Sequence, residues 1–252
     1  MIIDSDTHFS PFRKLPESVN AEEWNDRMAE AGIDKAVCWM MHQHLDEPQA
    51  SNKYIYESSK KFSRIMPFGW VMLPPQGLQK TLDEVKRCLE EYGFFGIKIN
   101  GSQNEHNIDN DESLKVIDLV AKAGKIFAFH CGADAPVFTD PARAARIASL
   151  YPELRILMVH MGGVAEPDMS EKAIEAAKTS PHIMLVGSAI PMPRVVNGIR
   201  KLGAERIMFG SDTPYHGTAK ERLDEFREML KEFDQKTADL VLGENAKKFL
   251  KI

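Results

Sequence analysis

Residues 126–160 read IFAFHCGADAPVFTDPARAARIASLYPELRILMVH. Two apolar runs, IFAF and ILMV, each close on a histidine, His130 and His160. Between them Asp140 precedes Pro141, a capping side chain followed by the residue best suited to a first helical position. An amphipathic stretch then runs to Leu150. Strand, helix and strand in a repeat of about 30 residues is the unit of a parallel α/β fold, because parallel neighbours need a crossover connection.

The same alternation extends in both directions. Strands are predicted at Ile2 to Thr7, Lys35 to Met40, Ile65 to Leu73 and Phe95 to Asn100 before this unit, and at Ile183 to Gly187 and Arg206 to Ser211 after it. Helical spacing falls at Asn20 to Ala31, Leu78 to Tyr92, Glu112 to Ala123, Ser170 to Thr179, Pro193 to Leu202, Glu221 to Phe233 and Thr237 to Leu250. Gly32, Gly93, Gly124 and Gly203 follow helical stretches, where a left-handed C-cap is wanted. The stretches Pro74 to Gly77 and Gly101 to Asp111 read as loops. Eight such units in 252 residues predict an α/β fold of one domain over residues 1–252, a (β/α)8 TIM barrel with an extra C-terminal helix. A doubly wound open sheet is the alternative, because periodicity does not report closure.

Thirty-two basic against 37 acidic residues give a net charge of −5, which argues against nucleic acid or an anionic membrane as the main partner. Cys38, Cys88 and Cys131 form no paired framework and suit a reducing compartment. No leader-like pattern opens the chain, and no apolar run approaches the roughly 20 residues of a membrane span. The expectation is a cytoplasmic protein acting on a small molecule, with homodimerisation compatible with the fold.

The eight histidines sharpen this. His8, His130 and His160 end predicted strands, and His42, His44, His106 and His216 follow strand ends; His182 alone begins one. In a parallel barrel the C-terminal strand ends share the catalytic face. Asp6 and His8, two apart on a strand, share a side of it. Asp212 follows the run IMFGS. An ionisable group ending a buried strand needs a partner or a metal to offset desolvation. Two imidazoles and two carboxylates suit one zinc ion, with manganese or ferrous iron also compatible with the oxygen-rich set.

The segments IDSDTHFSP, GIKIN, FHCG, VHMGG, FGSDTPY and LGENAKKFL, in this order and spacing, resemble the amidohydrolase-related branch of the amidohydrolase superfamily. The resemblance covers essentially the whole chain and implies a barrel with a divalent metal at its mouth. The usual first-strand motif is His-x-His; here Asp6 stands at the first position, as a carboxylate does in some members, and His8 matches. By the same match, His130 and Asp212 would be metal ligands, with Asp212 also moving protons and His160 serving as a catalytic histidine. Lys98, where a lysine of the superfamily can be carbamylated between two metals, is read instead as a barrel-mouth lysine paired with Asp212 or a substrate carboxylate. One metal is therefore expected. Arg13, His42 and His216 are candidate substrate contacts. Methionines and Trp24 read as core.

The expected chemistry is hydrolysis of a small amide, lactone or cyclic carboxylate by metal-activated water. Non-oxidative decarboxylation of an unsaturated or aromatic acid is the alternative. A catalytically silent barrel is a third reading, supported only by the missing first-strand histidine.

Overall fold

Eight parallel strands pair in sequence order: β1 (Ile3–His8), β2 (Lys35–Trp39), β3 (Ile65–Trp70), β4 (Gly96–Ile99), β5 (Ile126–His130), β6 (Arg155–Val159), β7 (Ile183–Val186) and β8 (Ile207–Met208). The computed structural model describes residues 1–12, 16–41, 48–73, 76–132, 134–163 and 168–252. The ring closes between the segment after β8 and β1. Ser5 N–H donates to Phe209 O at 2.9 Å, Asp212 N–H to Asp6 O at 2.8 Å, and His8 N–H to Thr213 O at 2.9 Å. These bonds decide for the barrel over the open sheet.

The return helices are α1 (Ala21–Ala31), α2 (Pro48–Lys61), α3 (Leu78–Lys86), the short α4 (Gly101–Asn104), α5 (Asp111–Lys122), the short α6 (Pro136–Thr139) and α7 (Ala142–Leu150). They continue with α8 (Ser170–Lys178), α9 (Met192–Leu202) and α10 (Ala219–Leu230); α11 (Gln235–Asp239) and α12 (Asn245–Leu250) are joined by a wide π turn. Local chemistry accounts for their ends. Asn20 and Glu23 form a capping box at the start of α1, and Gly32 leaves it with φ 73°, a conformation that carries no Cβ penalty in glycine. Thr218 and Glu221 form the same box before α10. Leu223, Phe226 and Leu230 then face the barrel, and the Phe226 ring meets Phe209 edge-on at 5.0 Å between centroids. Burying each such side chain contributes about 2 kcal/mol.

Three details depart from the sequence reading. Helix α2 has no counterpart in it, and part of the expected loop at Gly101 to Asp111 is α4, capped by Asn100 accepting from Ser102 N and Gln103 N. Helix α7 keeps the expected start: Pro141 already has helical angles, φ −54° and ψ −28°, and Ala142 N–H donates to Asp140 Oδ1 at 2.9 Å, so Asp140 caps it. Strand β8 is two residues long, because beyond Met208 the chain bonds across to β1 rather than along β7. Among the described residues no helix is long and apolar enough to cross a membrane.

Candidate metal centre and active site

The parallel register brings the barrel-mouth groups together. His8 on β1 lies opposite Trp39 on β2, and Trp70 on β3 lies opposite Lys98 on β4. Asp6, two residues before His8, is fully buried. Across the closing seam, Asp4 Oδ1 accepts the N–H groups of Asp6 at 3.1 Å and Ser211 at 2.9 Å, tying β1 to the segment that delivers Asp212. Burial pushes the Asp4 carboxyl up to about 7.

Asp6, His160 and Asp212 form one buried group, their candidate ligand atoms all within 4.8 Å of one another. His8 Nε2 stands 3.5 Å from Asp6 Oδ1 and 3.3 Å from Asp212 Oδ1. The backbone is bent to achieve this. Asp212 (φ 57°) and His160 (φ 71°) are left-handed, as are their neighbours Met161 (φ 48°) and Ala189 (φ 54°). Such conformations cost about 1–3 kcal/mol each outside glycine and persist where surrounding contacts over-determine them. At Gly210 the chain passes so close to the site that a Cβ would lie 2.5 Å from Val186 Cγ1 and 3.2 Å from Asp6 Cβ.

Electrostatics follow from burial. Burial alone would raise the Asp6 carboxyl, but Lys98, His8 and His160 outweigh it and hold it well below its ordinary range. The Lys98 ammonium is 4.0 Å from Asp6 Oδ1 and sits against the rings of Trp39 and Trp70, at 4.0 and 4.5 Å from their centroids. Its pKa is lowered by burial, against the pull of Asp6 and Asp212. Burial likewise opposes charge on His8, yet hydrogen bonding to Asp212 and Asp6 raises its pKa. The Trp39 indole N–H lies 3.0 Å from Asp6 Oδ1 and 3.1 Å from His8 Nε2. The carboxylate is the stronger acceptor of the two. Burial holds His160 at about 4.

The donor set fits a divalent cation. His8 Nδ1 is 2.7 Å from Met40 O, and a carbonyl can only accept; His8 therefore donates from Nδ1 and leaves Nε2 toward the carboxylates. A ring nitrogen fixed by a backbone carbonyl is how metal-binding histidines are usually oriented. Two buried carboxylates against one lysine leave the site short of positive charge, and the raised His8 pKa expresses the same deficit.

Other expected site residues stand around this group rather than within it. His130 is outside the three-residue group: its Nε2 bonds Asp134 Oδ1 at 2.8 Å, and its ring packs edge-on against His160 at 4.7 Å. Burial would raise Asp134, but His130 outweighs it and holds that carboxyl at about 2. Lys98 is enclosed beneath the two indoles rather than open to the mouth. His216 lies on the rim, half exposed, with Nε2 3.5 Å from Asp212 Oδ2. His106 is buried and bonds Ser113 Oγ at 2.8 Å, a structural contact. Arg13, His42 and His44 lie outside the described residues. Sequence reasoning missed Trp39, Asp4 and Ser188; the last contacts both Asp6 Oδ2 and His160 Nδ1.

Comparison with known proteins agrees with this architecture. Residues 3–252 match the model of the family described as Amidohydrolase. Among solved structures the chain is similar to 2,6-dihydroxybenzoate decarboxylase from Rhizobium, at 17% identity over 99% of this chain and 98% of that one, with a TM-score of 0.75. It is similar to 5-carboxyvanillate decarboxylase from Novosphingobium aromaticivorans with bound manganese, at 17% identity over 100% and 97%, with a TM-score of 0.79. A third is a probable 2-pyrone-4,6-dicarboxylic acid hydrolase from Acinetobacter baumannii, at 14% identity over 100% and 99%, with a TM-score of 0.66. At these identities the likeness is one of fold. No curated protein sequence matches the chain. With the family match running from the first strand through the last helix, the chain belongs to the amidohydrolase family.

Proposed function

We propose that this chain is a divalent-metal-dependent hydrolase that adds water to the carbonyl of a small amide, lactone or cyclic carboxylate. The observation that carries the reading is the buried group of Asp6, His160 and Asp212 within 4.8 Å. It is a set of proton acceptors: two carboxylates, and an imidazole held at about 4 by burial. Hydrolysis needs such an acceptor, because the attacking water gives up a proton that the leaving group later receives.

Asp6, His8 and Asp212 would hold the ion; His130 joins them only by releasing Asp134. An ion bound there supplies Lewis acidity, which polarises a carbonyl and acidifies a water. Asp212 takes the proton as the new carbon–oxygen bond forms and returns it to the leaving nitrogen or oxygen as the old bond breaks. His160 orients the water. Lys98 balances the charge of Asp6, a role for an ammonium rather than a carbamate, since cations are what indole faces attract. His216 meets substrate at the rim, and zinc leads over manganese or ferrous iron. Arg13 and His42 keep their proposed place as substrate contacts.

Assays of small lactones, amides and cyclic carboxylates in isotopically labelled water test this. One solvent oxygen should enter the product carboxylate, and Asp212→Ala should fold normally while losing most turnover. Near-full activity in that variant would remove Asp212 from the mechanism. Decarboxylation is the second reading, favoured by the carboxylate at Asp6 and by the decarboxylases among similar folds. Carbon dioxide release from a hydroxybenzoate-type acid, without solvent oxygen in the product, would replace hydrolysis with it.

A further inference from the structure

Ser188, just beyond β7, is fully buried and touches the site at two points. Its hydroxyl lies 2.5 Å from Asp6 Oδ2 and 3.0 Å from His160 Nδ1, and its carbonyl oxygen lies 3.3 Å from the same ring nitrogen. Each atom's hydrogen-bonding capacity constrains the others. A hydroxyl has one hydrogen to give. Asp6, facing Lys98, is ionised and can only accept, so the Ser188 hydrogen goes to Asp6. The hydroxyl oxygen must then accept from His160, and the Ser188 carbonyl can do nothing else. Both partners of Nδ1 are acceptors, so Nδ1 carries the ring hydrogen.

We infer that Ser188 is a positioning residue that fixes the ring hydrogen of His160 on Nδ1 and reserves the Nε2 lone pair for the chemistry of the site. The hydroxyl thereby links a strand-β1 carboxylate to a histidine beyond β6, so the two cannot reorient independently. Ala189, the next residue, has a left-handed backbone, with φ 54°. The inference rests on reading His160 as a working residue of the proposed hydrolase, but the hydrogen's position can be read without turnover.

The test is long-range proton–nitrogen NMR of the histidine rings in nitrogen-labelled protein at neutral pH, with His160→Asn used to assign the His160 signals. The native protein should show a protonated Nδ1 and an imine-type Nε2. Ser188→Ala should lose that pure state for a mixture of ring forms, and Ser188→Thr, which keeps the hydroxyl, should restore it. Manganese affinity should weaken roughly 10–100-fold in Ser188→Ala and recover in Ser188→Thr, the usual scale for losing an orienting contact. A protonated Nε2 in the native protein, or an unchanged His160 spectrum in Ser188→Ala, would overturn the inference. Full activity in His160→Asn would instead remove the functional reading of His160 and leave the ring-hydrogen result standing.

Discussion

Lys98 and Asp6 depend on each other. An ammonium with 1% exposure has lost nearly all its water, and Asp6 at 4.0 Å with two indole faces replaces it. A desolvated cation–π contact contributes about 2 kcal/mol, while an unpartnered buried charge costs about 3–5 kcal/mol. Asp6→Asn should therefore lower stability by about 3 kcal/mol or more in chelator-treated protein, with Lys98→Met costing a similar amount. The double variant should lose much less than the sum, because it strands no charge. Thermal unfolding of the four proteins checks this; strictly additive losses would mean the two groups do not form a pair.

The residue scale is also where the sequence was most and least readable. His160 and Asp212 were legible because each is ionisable and ends or follows a largely apolar run, and Asp6 and His8 because they stand two apart on the first strand and so share a side of it. Trp39, Asp4 and Ser188 were not. The roles of the Trp39 indole, the Asp4 carboxyl and the Ser188 hydroxyl come from partners across the barrel, Asp6, Ser211 and Asp6 again, that lie far away in sequence. His130 was legible as a strand-end histidine, but nothing in its spacing foretold that Asp134, four residues on, would take its Nε2.

Among the elements, α2 escaped because its buried positions include Ser51, Asn52 and Ser58, so apolar periodicity is weak there. The short α4 and α6 offer too few turns for any period. Between them runs a brace. Asp109 accepts from Arg143 Nη1 at 2.6 Å and Arg146 Nη1 at 2.9 Å, anchoring the segment before α5 to α7, and Arg143 Nη2 also donates to Val137 O on α6. Burial would raise the Asp109 carboxyl, but the two guanidiniums outweigh it and hold it below the ordinary 3.8. A depressed folded pKa gives stability that is complete above the unfolded value and is lost as pH falls through the folded one. Asp109→Asn should thus cost about 1.5–3 kcal/mol near neutral pH, the scale of charged hydrogen bonds. Its deficit should shrink as pH drops below 3.8. A deficit of equal size at both ends would assign the loss to packing rather than charge.

At the scale of the molecule, the site and the closure of the barrel occupy the same place. Asp6 and His8 stand on β1, Asp212 follows β8, and these are the two ends of the chain's sheet. The seam between them is held by a few backbone bonds and the Asp4 strut, because β8 contributes only Ile207–Met208 to the ladder. An ion bound by residues from both sides would pin that seam, and binding restricted to the folded state raises stability by mass action. At a thousandfold excess over the dissociation constant the gain is about 4 kcal/mol, which for a chain this long raises the melting temperature by about 10 °C. Manganese added to chelator-treated protein should produce that rise, and Asp212→Asn should abolish it while unfolding cooperatively without metal. A native protein whose melting temperature ignores saturating manganese, zinc and ferrous iron alike would leave the seam unpinned and the metal-dependent reading without its cation.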